Sequence, residues 1–230
     1  MNWVGTQKGK DCGFPYDPEH EGHSGRLAIE TVEKNYLPPV LESQSPDVIV
    51  MLLGSNDVIQ KKQTTDIISA YTTLVEQMRA SNPRMQIVIA QLPPITKYAG
   101  LTQAVIDLNS AIAEWGPRLS TPRSPIYIVD QYTGFNTTTD TPDGLHPNES
   151  GNVKLSQKFY PAVSQALLAL QGGVQDVPSE TYEPPEGQDP EEPERPDSTP
   201  STTAEPVPTY QTGPVRWWSH GRPPAGNQHL

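Results

Sequence analysis

Three short runs of consecutive apolar residues, rich in β-branched side chains, punctuate the middle of the chain. They are DVIVMLL at 47–53, QIVIAQL at 86–92 and PIYIVDQ at 125–131. The first ends at Gly54 and the second at Pro93-Pro94. Runs of this length that stay apolar instead of alternating fit strands covered on both faces, as in a parallel sheet. Between and after them the apolar positions change to helical spacing. In 64–80, Ile67, Ile68, Tyr71, Leu74, Val75 and Met78 fall on one face, with Thr64, Thr65 or Asp66 as the expected cap. In 101–115, Leu101, Ala104, Val105, Leu108, Ile112 and Trp115 do the same, and 150–170 gives a third stripe, Val153, Phe159, Tyr160, Val163, Leu167 and Leu170, with a kink expected at Pro161. A further helix is expected to begin at Arg26 or Leu27. Strands alternating with helices predict an α/β domain in three layers around a parallel sheet.

The pattern stops near residue 171. From Gly172 the chain reads GGVQDVPSETYEPPEGQDPEEPERPDSTPSTTAEPVP, with 10 Asp and Glu against 3 Arg over residues 172–230. A segment so poor in apolar residues has too little to bury to offset the entropy of ordering, and is expected to be a disordered acidic tail. The boundaries are therefore a folded domain over 1–171 and a tail over 172–230. Most of the formal net charge of −11 belongs to the tail. That balance argues against a nucleic-acid partner. No apolar run approaches the ~18 residues of a membrane span, and the first residues lack a signal-peptide core. The single cysteine, Cys12, excludes a disulfide within the chain as written. Asn136-Thr-Thr and Asn148-Glu-Ser match the glycosylation acceptor pattern, a triplet that also arises by chance.

Polar residues with chemical potential cluster after strand ends. Gly54-Ser55-Asn56-Asp57 follows the first run, and Asp143-Gly-Leu-His146-Pro147 precedes the last helix. In open parallel sheets ligands bind beyond the carboxyl ends of the strands, so both clusters point to one rim. Asp143 can reach His146 across one tight turn, fixing its tautomer and steadying the imidazolium, while Pro147 restricts the backbone of His146 to an extended shape. Asn148 or Ser150 can cap the helix that follows. The same residues also fit a plain turn cap and a surface histidine. Asn56 can donate an amide hydrogen to a developing oxyanion, and Gly54 allows a sharp turn, although Gly, Ser, Asn and Asp are all ordinary turn residues. The segment Glu19-His-Glu-Gly-His-Ser-Gly25-Arg26 lacks the spacing of a helical zinc site, and Ser24 lacks the preceding strand that a nucleophile elbow requires. No metal and no cofactor is expected.

Taken in order, VGTQ…DPEHEGHSGR, PDVIVMLLGSNDV and DGLHPNESG resemble the later sequence blocks of the SGNH (GDSL-type) hydrolases. HEGHSG is most similar to the acetyl xylan esterases of carbohydrate esterase family three. The resemblance covers roughly residues 2–170. It implies a flavodoxin-like α/β/α sandwich and carboxylic ester hydrolysis through a serine acyl-enzyme. His146 would be the base and Asp143 its orienting acid. Asn56 and the Gly25 N–H would be oxyanion donors, with Gly54 and Asp57 in support. The implied substrate is an acylated polysaccharide or a small ester, and the implied location of the full-length form is extracellular. The family's first block, which carries the nucleophilic serine at the end of the first strand, has no counterpart here. MNWVGTQ resembles the second strand, so Met1 is expected to be internal to a longer reading frame. The sheet is expected to lack that first strand, leaving unpaired backbone groups and an apolar gap. Ser24 and Ser55 are the nearest serines by sequence, and neither stands at the expected strand end. The nucleophile is thus expected outside this chain, and the chain as given is expected to be inactive. A non-catalytic carbohydrate-binding or scaffold relative is the alternative.

Overall fold

A computed structural model describes residues 2–10, 13 and 15–172. The expectations for the tail and for Cys12 lie outside the described residues. Three parallel strands form the central sheet: β3 (Val48–Met51), β4 (Gln86–Ala90) and β5 (Ile126–Val129), in the order β3-β4-β5. Val48 pairs with Gln86, and Ile87 with Ile126. An antiparallel pair of two-residue strands, β1 (Gln7–Lys8) and β2 (Glu19–His20), forms a separate small sheet. The helices are α1 (Ala28–Glu33), α2 (Leu37–Gln44), α3 (Ser55–Ile59), α4 (Thr64–Ser81), α5 (Thr102–Leu119), α6 (Thr137–Asp140) and α7 (Glu149–Gln171).

Because side chains alternate across a strand, a strand covered on both faces feeds two cores. Ile87 and Ile89 of β4 enter the larger one, with Ile67, Tyr71, Leu74 and Met78 of α4 and Leu108 and Ile112 of α5. Val88 and Ala90 turn the other way and pack with Phe159, Ala162, Val163 and Ala166 of α7. All five residues of β4 are buried. This is the three-layer α/β arrangement that the alternation of runs predicts.

Several local expectations are corrected. The strands are shorter than the apolar runs, β3 and β5 at both ends and β4 at its carboxyl end alone. Residues 2–5 lie in no strand ladder, so the segment that resembles a second strand does not pair with the sheet. Helix α4 starts after Gln63, and no side chain caps it. Of the expected α7 stripe, Phe159 and Val163 pack against the sheet with Ala162 and Ala166, whereas Val153 and Tyr160 are exposed. The helix is apolar on more than one side, and sheet contact rather than periodicity decides which side is inward. Pro161 lies inside α7. Helix α2, with prolines in its first turn, and the short α1, α3 and α6 complete the set; of these only α1 was expected.

At Gly54 the chain leaves β3 with φ 103°. A Cβ there would lie 3.1 Å from the Tyr71 hydroxyl, which donates to the Leu53 carbonyl at 2.6 Å, and 3.3 Å from a Leu108 methyl. Gly54→Ala is expected to destabilise the domain by about 1–3 kcal/mol through left-handed backbone strain plus crowding. Urea unfolding of the two proteins measures it, and an unchanged midpoint would contradict this account of the turn.

Candidate active site

The carboxyl ends of the parallel strands share one rim, and three loops leave from it. The first runs from β3 through Gly54 into α3. Asp57, fully buried, accepts the backbone N–H groups of Ala28 (2.8 Å) and Ile29 (3.2 Å). Helix α1 has no capping side chain of its own, since Leu27 occupies its N-cap, so Asp57 performs that service from 29 residues away. Burial, the largest influence, holds the Asp57 carboxyl above its ordinary range against these hydrogen bonds. The tie also draws the turn before α1 towards Asn56, whose Nδ2 donates to the Arg26 carbonyl at 3.1 Å. An amide nitrogen carries two hydrogens, so one N–H of Asn56 remains for another acceptor. Gly25 lies exposed in that same turn, one residue from Arg26. Gly54, Asn56, Asp57 and the Gly25 turn are thereby brought together.

The third loop, after β5, holds the acid and the imidazole. Asp143 Oδ1 accepts the backbone N–H groups of Leu145 (3.1 Å) and His146 (2.8 Å), and Oδ2 lies 2.8 Å from His146 Nδ1. An ionised carboxylate only accepts, so Nδ1 is the donor and the neutral ring keeps Nε2 as a lone pair. His146 is 69% exposed. Helix α7 starts immediately after, capped by Asn148, whose Oδ1 accepts the Gly151 N–H at 3.0 Å; Ser150 instead bonds Asp140.

The second loop, between β4 and α5, supplies a partner not expected from the sequence. Lys97 Nζ reaches Asp143 Oδ2 at 2.7 Å, the oxygen that also faces the imidazole. The backbone N–H groups of Thr96 and Lys97 donate to the Gly144 carbonyl. Gly144 has φ 79°, and a Cβ on it would sit 2.7 Å from the Lys97 nitrogen, so glycine alone permits the two loops to approach this closely. The Lys97 ammonium first, then the amide and ring of His146, hold Asp143 well below the usual carboxylate range. Lys97 is 46 residues distant in sequence, and no local motif marks it.

Asp140 anchors the same loop. It is fully buried and accepts from Lys154 Nζ (2.7 Å), the Asn136 N–H (2.7 Å) and Ser150 Oγ (3.0 Å). Lys154 is the main reason its pKa is lowered to about 2. A depressed carboxylate contributes stability above its unfolded pKa and loses it as pH falls through the folded value. The wild type is therefore expected to lose thermal stability between about pH 4 and about pH 2 more steeply than Asp140→Asn. At neutral pH the variant is expected to melt several degrees lower. Melting curves over this range check both, and parallel pH profiles would refute the anchor.

At the N-terminal side, Glu21 accepts from the backbone and hydroxyl of Thr6 and pairs with His23. Thr6 and the EHEGHSG turn are held to one another in this way. Ser24 and Ser55 make no hydrogen bond to His146 among the described residues. No described helix is long and apolar enough to cross a membrane.

Comparisons with known proteins bear on the family and the fold. The family model described as GDSL-like Lipase/Acylhydrolase family matches residues 2–154. A serine-to-alanine variant of an acetyl esterase, solved with an acetate ion, is 28% identical, with a TM-score of 0.67 over 75% of this chain and 84% of its own. A carbohydrate esterase family 3 structure from Talaromyces cellulolyticus is 30% identical, with a TM-score of 0.66 over 74% of this chain and 83% of its own. A curated protein of Acetivibrio thermocellus, named "Putative endoglucanase X", is 25% identical over 137 residues, 59% of this chain. The match spans only 58% of that relative's length. With the matched region taking in the Gly54–Asp57 turn, the Asp143–His146 pair and the sheet that carries both, the chain belongs to the GDSL-like lipase/acylhydrolase family.

Proposed function

We propose that the protein is a carboxylic ester hydrolase that removes acyl groups, acetyl above all, from a polysaccharide. The observation that supports this reading is the Asp143–His146 pair, 2.8 Å apart with the ring exposed, in the chain that follows β5, as Asn56 is in the chain that follows β3. In the proposed reaction a serine Oγ attacks the ester carbonyl carbon and gives its proton to His146 Nε2. Asp143 steadies the imidazolium. The oxygen that gains charge accepts the free N–H of Asn56 and the N–H of Gly25. The C–O bond to the sugar then breaks, His146 returns the proton to the leaving alcohol, and water repeats the sequence to release the acid and the serine. The polymer preference draws on the acetyl esterase and family 3 carbohydrate esterase neighbours and on the openness of His146.

In this reading the serine comes from outside the 230 residues, and the chain by itself does not turn over. The test compares this chain with a form extended upstream through its genomic reading frame, on p-nitrophenyl acetate and on acetylated xylan. Hydrolysis of both by the extended form alone is the expected result. Hydrolysis by neither, with retained polysaccharide binding, would replace the proposal with a non-catalytic binding relative. Secretion of the extended form is expected as well, and a cell-fractionation blot checks it.

A further inference from the structure

The Asp143 carboxylate has every acceptor position taken. Oδ1 receives the backbone N–H groups of Leu145 and His146, and Oδ2 receives His146 Nδ1 at 2.8 Å and Lys97 Nζ at 2.7 Å. A carboxylate offers about four lone-pair sites, so neither the ring nor the ammonium has another oxygen to turn to. We propose that Lys97 is a positioning residue of the acid–imidazole pair: its charge, set against the oxygen that the ring also uses, keeps His146 in the neutral, proton-accepting form down to a lower pH than Asp143 alone would allow. The charge effect stands on the geometry; its meaning for catalysis rests on the reading in the preceding subsection.

The shared oxygen sets the direction of the effect. When the ring takes up a proton, a second cation stands against Oδ2. Two groups that touch one oxygen at these distances are no more than about 5.5 Å apart, a separation at which like charges disfavour each other's charged form. A lone carboxylate would draw the ring towards imidazolium, and one already paired to an ammonium draws it less. Asp143 itself records the order of its partners, since Lys97 does more than His146 to hold its carboxyl below the usual range. The same bond holds the Lys97 ammonium above the ordinary lysine value, so the cation is a lasting one. The neighbouring titratable groups are otherwise placed. The Tyr98 ring centroid lies 5.9 Å from Lys97 Nζ, and Asp140 is engaged by Lys154.

An exposed ion pair ordinarily contributes little, because a long side chain is free to leave. The Lys97 side chain is one-third exposed, but its backbone is fixed. The N–H groups of Thr96 and Lys97 both donate to the Gly144 carbonyl, at 2.9 and 3.2 Å. Thr96 Oγ1 donates to Thr137 Oγ1 at 2.9 Å, and Ile95, two residues before Lys97, is buried. Gly144 directly follows Asp143. The contact that joins the two loops therefore also delivers the ammonium to the carboxylate, and the lysine stem has only a short span to cover.

The test follows the imidazole resonances of the 230-residue chain, labelled with nitrogen-15 histidine, across the range in which histidine titrates. The signal that His146→Ala removes, among those of the five histidines, assigns the ring. Lys97→Met is expected to move the His146 transition upward by about half a pH unit or more at low ionic strength, and by clearly less in molar salt, which screens exposed charges. Lys97→Gln is the second neutral variant and is expected to do the same. Lys97→Arg keeps the charge and is expected to stay close to wild type. In the upstream-extended enzyme the acid limb of kcat/KM on p-nitrophenyl acetate is expected to move with the ring, KM being little changed. A transition that stays in place in both neutral variants, or moves as far in Lys97→Arg, would overturn the role of the charge. A ring that moves while the acid limb does not would keep the charge effect and overturn His146 as the base.

Discussion

In the upstream-extended enzyme, His146→Ala is expected to lower kcat/KM on p-nitrophenyl acetate by about 10⁴-fold or more, with KM little changed. Removing the base of a serine hydrolase leaves only the binding and oxyanion contributions, and losses of this order follow in hydrolases of other folds. The geometry makes the variant clean. His146 is 69% exposed, its ring touches Asp143 alone through hydrogen bonds among the described residues, and its removal leaves the turn held by Lys97 and by the backbone amides on Asp143. Unfolding should be close to wild type. Asp143→Asn provides the companion experiment: an amide can donate as well as accept, so the ring no longer has a single preferred tautomer. A comparable fall in kcat is expected. Turnover within tenfold of wild type in His146→Ala would end the assignment of the base.

Asn56→Ala is expected to reduce kcat in the same enzyme by about 10²–10³-fold, again with a small effect on KM. The interaction forms with charge that exists only in the transition state, so binding of the ground-state ester is spared. One complication is structural. Asn56 also holds the Arg26 carbonyl, and losing a half-buried neutral hydrogen bond costs about 1 kcal/mol of stability. That cost should appear in urea unfolding and not in the rate once folding is complete. A variant that lost activity only in proportion to its unfolded fraction would show Asn56 to be a strut for the Gly25 turn and nothing more.

The alternation of apolar runs and helical stripes was enough to read the layers, because burial on both faces forces a strand to be apolar throughout and a covering helix to be apolar on one side. In α7 it was right for Phe159 and Val163, which pack against the sheet, and wrong for Val153 and Tyr160, which are exposed. It gave no helix at α2, whose first turn carries Pro38 and Pro39, residues that a first helical turn tolerates. At the site, Asp143 and His146 were legible because their bond is local. The place of the Gly54–Asp57 turn was legible because it follows a strand end. Lys97, Asp140 and the capping service of Asp57 were not, because each acts on a partner contributed by another element. Asp57 reaches α1 from 29 residues away, and Lys97 reaches Asp143 from 46. A linear reading shows which residues could do chemistry, and the loop packing determines which of them hold the others still.

The cap of α7 has a practical consequence for anyone producing the protein. Asn148 begins an Asn-Glu-Ser acceptor triplet, and a glycan would attach through its side-chain nitrogen. In the folded chain that nitrogen donates to the Thr139 carbonyl at 2.9 Å while the companion oxygen caps the helix two residues after His146. A sugar added there would take one of that nitrogen's two hydrogens, the other holding the Thr139 bond, at a position two residues along the chain from His146. Yeast or insect-cell material should therefore be checked by mass spectrometry at this position before its activity is compared with that of bacterial material.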